Sequence, residues 1–133
     1  MLPEAKFHHV GIATDSIDKT SVSFIKAGYE MTNIIFDPIQ NVYIAFLKKT
    51  DSPLLELVEP VDETSPVRNI LNKVGVSAYH FCYEVDDLEQ SITKLRKQKF
   101  MLIIKPVEAV AFNGRKICFL YNTNTGLVEL LEK

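Results

Sequence analysis

Four side chains in this sequence could together hold a cation: His9, Glu56, His80 and Glu129. A repeat singles them out. Residues 8–31 align without a gap on 79–102 at an offset of 71, which places His9 on His80 and Asp15 on Asp86. Residues 43–60 align on 116–133 at an offset of 73, which places Phe46-Leu47 on Phe119-Leu120 and Glu56 on Glu129. The chain reads as two copies of one unit, each with one His and one Glu at matching positions. Neutral imidazole nitrogens and carboxylate oxygens in equal number make a divalent-metal set that leaves positions for water or substrate.

Taken singly, these residues have plainer readings. A lone histidine on a strand is more often structural, and a lone glutamate can simply face water. But Glu56 lies between Leu55 and Leu57, and Glu129 between Val128 and Leu130, in strands too apolar to be surface ribbons. A charge buried there needs a partner. The recurrence of both residues at equivalent positions favours the metal set. His8, one residue out of phase with His9, is read as structural. Ser77, Cys82 and Cys118 sit in no nucleophile motif, and no glycine-rich phosphate loop is present.

The elements that must position the four residues follow from alternation and punctuation. Residues 7–13 predict a strand with Val10 and Ile12 on one face and His9, Gly11 and Ala13 on the other. Asp15 or Ser16 caps a helix over roughly 16–27 that Gly28 ends. Strands are expected over 29–36, 42–48 and 54–59, with turns at Asp37-Pro38 and Asp51–Pro53. Residues 1–6 read as a short lead-in. Between the units, Ser65 and Pro66 open a short helix that Gly75 closes. The second unit repeats the order: strand 78–85, helix 87–98, strand 100–105, a loop through Asn113-Gly114, and strands 115–121 and 127–132. If Val10 and Ile12 pack on the first helix, His9 faces the other side of its sheet. Phe81, Tyr83 and Val85 likewise send His80 away from the second helix.

A chain of 133 residues with 47% hydrophobic residues suits one domain, 1–133, because units of about 60 residues are marginal alone. Its parts are module one (7–60), a connecting helix (62–76) and module two (78–133). The formal charge of −2 argues against a nucleic acid or an anionic membrane as partner. There is no basic end followed by a long apolar run, so neither signal peptide nor membrane span is expected. The two cysteines read as small buried hydrophobes. A cytoplasmic protein is the resulting expectation.

At the stretches HHVGIA (8–13), LELVEP (55–60), TSPVRNIL (64–71), YHFCYEVDDLEQSI (79–92), GRKICFL (114–120) and GLVELLEK (126–133), the chain resembles the vicinal oxygen chelate superfamily of glyoxalases, bleomycin resistance proteins and dioxygenases. Within it, the methylmalonyl-CoA epimerases are most similar. The resemblance implies an α+β fold: two βαβββ modules in tandem, forming a curved mixed sheet around a central metal cavity, usually within a homodimer. The family's ligands fall on His9, Glu56, His80 and Glu129, and the ion would be cobalt, nickel, zinc or manganese. There are departures from the epimerase pattern. Tyr79 precedes His80 where a second His is usual, Tyr121-Asn122-Thr123 replaces His-Pro-Lys, and Ala109–Asn113 replaces a glycine-rich loop. The last two alter what a substrate would meet.

The chemistry so implied is proton transfer next to the carbonyl of an acyl-CoA or other thioester, with the ion as Lewis acid and Glu129 and Glu56 as the acid–base candidates. A glyoxalase I-like lactoylglutathione lyase is the alternative, since it shares the ligand set. It typically has an Asp-Pro-Asp-Gly-Tyr turn where this chain has Asn122–Gly126. A metal-free antibiotic-binding protein is a third reading, against which the intact His/Glu set speaks.

Overall fold

A computed structural model describes all 133 residues. Two compact units can be distinguished, a central one of residues 9–79 and a terminal one of residues 1–8 with 80–133. Strand β1 (Lys6–Ala13) leads into helix α1 (Ile17–Lys26), followed by β2 (Glu30–Met31), β3 (Ile35–Asp37), β4 (Val42–Lys48) and β5 (Leu55–Pro60). Helix α2 (Val67–Val74) connects to β6 (Ser77–Val85), then helix α3 (Leu88–Lys97), β7 (Met101–Glu108), β8 (Lys116–Asn122) and β9 (Gly126–Glu132). The class is α+β, with the strand–helix–three-strand order occurring twice, as expected.

In the central unit, β4 lies antiparallel to β5, and residues 10–13 of β1 run parallel to β5 on its other side. β2 and β3 both pair with β4. The expected strand over 29–36 is therefore two short pieces. Thr32 causes the break: its Oγ1 accepts from the Phe46 N–H (2.9 Å), taking a backbone position in the ladder. Ile17, Ala45, Leu47, Leu55 and Leu57 form the core beneath α1, with Val10, Ile12 and Phe24 packed against it. Ser16 is the N-cap of α1, its Oγ accepting from the Lys19 N–H (3.1 Å). For α2, the expected Ser65 cap is not made. The helix begins at Val67 without a side-chain cap, and the Ser65 carbonyl accepts from the Arg68 N–H (3.0 Å) in a tight first turn.

The terminal unit has β6 parallel to β9, β9 antiparallel to β8, and β8 antiparallel to a bulged β7. Its core gathers Val85, Leu88, Ile92, Leu95, Phe100, Cys118, Leu120, Val128 and Leu130. Leu2 belongs to the same cluster and Ala5 packs on it, so the lead-in is part of the core. Tyr83 and Val85 pack toward α3 as expected. Phe81 departs from that expectation: it is half exposed, with its ring edge-on to Phe7 at 6.4 Å. Asn113 and Gly114, both at positive φ, close the β7–β8 connection after a 3-10 turn at Val110–Phe112. No helix is long and apolar enough to cross a membrane.

Candidate metal centre

Each unit builds the same three-strand arrangement around its histidine. In the central unit His9, on β1, is fully buried, and alternation along the strand turns it away from Val10 and Ile12 on the α1 side. Glu56 on β5 stands opposite Gly11 in the parallel register, and Phe46 on β4 stands opposite Glu56. His9 Nε2 lies 3.5 Å from Glu56 Oε1. The Phe46 ring sits edge-on to the imidazole at 6.1 Å.

The terminal unit repeats this on β6, β9 and β8. His80 is buried, Glu129 stands opposite Cys82, and Phe119 stands opposite Glu129. His80 Nε2 lies 3.2 Å from Glu129 Oε1, and the Phe119 ring is edge-on to His80 at 5.2 Å. Both glutamates are nearly inaccessible, at 3% and 2% exposure, so each carboxylate depends on protein groups or a bound cation in place of water.

The structure thus brings His9 to Glu56 and His80 to Glu129. The donor chemistry of each pair fits a first-row divalent ion: a borderline nitrogen beside a hard, anionic oxygen, both shielded from water by an aromatic ring and an apolar strand. His8, read as structural, lies with its ring edge-on to Phe112 at 5.5 Å. Cys82 and Cys118 are free thiols, both buried. Burial, with Glu129 next in effect, pushes the Cys118 thiol up to about 12, which leaves it inert as a nucleophile.

Sequence reasoning assigned no role to four residues that complete the arrangement. Phe46 and Phe119 wall the two imidazoles. Glu59 Oε1 accepts from the Ile17 N–H (2.8 Å) and Glu132 Oε2 from the Leu88 N–H (2.9 Å), tying the last strand of each unit to the first residue of its helix. The signal was available, because the offset of 73 that pairs Glu56 with Glu129 also pairs Glu59 with Glu132.

Residues 8–119 match the family model described as the Glyoxalase/Bleomycin resistance protein/Dioxygenase superfamily. The chain belongs to this superfamily. Among curated relatives, it is 34% identical to the uncharacterized protein YqjC of Bacillus subtilis, over 96% of this chain and 91% of that one. It is 30% identical to a mitochondrial methylmalonyl-CoA epimerase of Dictyostelium discoideum, over 96% of this chain and 78% of that one. Among solved structures, methylmalonyl-CoA epimerase from Mycobacterium tuberculosis superposes with a TM-score of 0.84 at 25% identity, covering 99% of this chain and 92% of the other. The superfamily's epimerases thus share both the fold and a detectable sequence relationship with this chain.

Proposed function

We propose that this protein is a metal-dependent epimerase that moves a proton next to the carbonyl of an acyl-CoA thioester, as a methylmalonyl-CoA epimerase does. The reading takes His9, Glu56, His80 and Glu129 as ligands of one divalent ion, whether cobalt, nickel, zinc or manganese. One observation carries it: a buried His–Glu pair with the same strand register and the same aromatic wall occurs in both repeats. When bound, the ion supplies a Lewis acid against the negative charge that builds on a carbonyl oxygen as the α-proton leaves. The chain supplies the rest. Glu129 and Glu56 are the carboxylates that remove the proton and return one, with His80 Nε2 and His9 Nε2 beside their oxygens at 3.2 and 3.5 Å. Phe46 and Phe119 keep water from the imidazoles, which strengthens every charge interaction among the four. The reading also takes the chain as a cytoplasmic homodimer with a small thioester substrate, and its slightly acidic balance suits neither nucleic acid nor membrane as partner.

Metal-loaded protein is expected to exchange the α-proton of methylmalonyl-CoA into D2O and to leave methylglyoxal plus glutathione unchanged. The reverse outcome would move the protein to the lyase reading. Inactivity on both, in protein that holds metal, would remove the thioester substrate from the account.

A further inference from the structure

We infer that Glu59 and Glu132 are positioning residues that fix the strand register on which the two His–Glu pairs depend. The inference rests on the reading of those pairs as metal-holding. In each unit the histidine strand and the glutamate strand run parallel, and their partners are far apart in the chain: Gly11 faces Glu56, and Cys82 faces Glu129. No tight turn can set such a register, and a slip of one residue would carry the ligand glutamate to the opposite face. The side chains of Glu59 and Glu132 supply a fixed point. Each lies three residues beyond the ligand glutamate, so it faces the helix side of the strand. There it accepts from the first backbone N–H of the helix that continues the histidine strand. That N–H has no partner within the helix, and the carboxylate also meets the positive end of the helix dipole. A slip would expose both carboxylates of a strand to the wrong face at once. The register is therefore specified from two sides.

Helix capping alone is the competing explanation, and the same helices provide its control. Ser16 and Asp87 cap the third N–H of α1 and α3, at 3.1 and 3.0 Å, without touching the glutamate strands. Cobalt(II) binding, followed by its visible absorption bands and by competition with a chelator, is to be compared in wild type, Glu59→Ala, Glu132→Ala, Ser16→Ala and Asp87→Ala. The inference predicts that Glu59→Ala and Glu132→Ala each weaken cobalt binding about 10- to 100-fold and alter the bands. The Ser16→Ala and Asp87→Ala variants should stay within about 2-fold of wild type despite a comparable loss in thermal midpoint. Glu59→Gln and Glu132→Gln keep an acceptor oxygen and should recover most of the affinity, which also covers an alanine variant that fails to fold. Wild-type affinity in the Glu59 and Glu132 alanine variants, or equal weakening in the cap variants, would overturn the inference. Should wild type take up no cobalt, the epimerase reading fails instead. The register claim is then decided on metal-free protein by amide exchange at Ile12 and Leu57: faster exchange in Glu59→Ala than in Ser16→Ala carries it, and equal rates overturn it.

Discussion

In the central unit the chain after α1 makes two short strands, Glu30–Met31 and Ile35–Asp37, whereas the matching stretch of the terminal unit is one strand, Met101–Glu108. The helix ends differ too. Gly28 takes the positive φ that follows α1 (+98°), and Lys99 takes it after α3 (+71°). Around the histidines the units agree closely: the same register, the same edge-on phenylalanine, the same carboxylate on the helix start. The contrast teaches where this fold is constrained. Parallel strands carrying buried His and Glu tolerate no slip, because a shifted charge would be stranded in apolar surroundings. The strand after the helix carries none of these groups, so a threonine can break it in one unit and bulges can bend it in the other.

The largest test of that equivalence is chemical. Glu56→Gln and Glu129→Gln are each expected to lower kcat by about 10²- to 10⁴-fold, read as α-proton exchange from methylmalonyl-CoA. A loss at only one of them would break the symmetry and count against the other carboxylate both as a ligand and as a proton-transfer group. Next in size is the anchoring of the terminal unit by the start of the chain. Leu2→Ala is expected to cost about 2–3 kcal/mol in urea unfolding, while Met1→Ala, at a half-exposed neighbour, should stay within about 0.5 kcal/mol. Equal effects would return residues 1–6 to the status of a passive lead-in.

Smaller still are the helix ends. Gly28→Ala should destabilise by about 1 kcal/mol, because a Cβ is strained at that φ, and Lys99→Gly should stabilise by about 0.5–1 kcal/mol. Thermal midpoints moving in opposite directions would show that the units differ at this point by local backbone strain alone. The smallest effect concerns a pair that only the terminal unit has. The Arg115 guanidinium donates to Glu84 at 2.6 Å and holds its carboxyl below the ordinary value of 4.5. That contribution, about 0.5–1 kcal/mol, is complete above pH 4.5 and fades as pH falls through the depressed value of the folded state. The stability gap between wild type and Glu84→Gln should therefore close on acidification, as followed by urea unfolding at a series of pH values.

The repeat made the ligand candidates legible, and alternation placed strands 42–48 and 78–85 within a residue of where they lie. The strand–helix–three-strand order of each unit was legible in the same way, and the family resemblance implied the α+β class. What escaped was carried by contacts distant in sequence. Leu2 stands in a six-residue lead-in, MLPEAK, that has no strand or helix period, and nothing local shows that it joins Leu95 and Leu130 in a core. The strand expected over 29–36 had suitable residues throughout, and only the Thr32 hydroxyl meeting the Phe46 N–H interrupts it. Ser65 looked like a cap by residue type, yet the tight first turn bonds its carbonyl and not its hydroxyl. Glu59 and Glu132 were visible as a matched pair, but their role needs the helix start brought to the strand end, which a linear pattern does not contain.

The central claim is that both His–Glu pairs serve one ion, and metal stoichiometry tests it most directly. Titration of metal-free protein with cobalt(II) should reach one tight equivalent per chain, and removing any one of His9, Glu56, His80 or Glu129 should abolish it. Two independent equivalents per chain, each lost only with its own pair, would contradict the account, as would no tight binding at all.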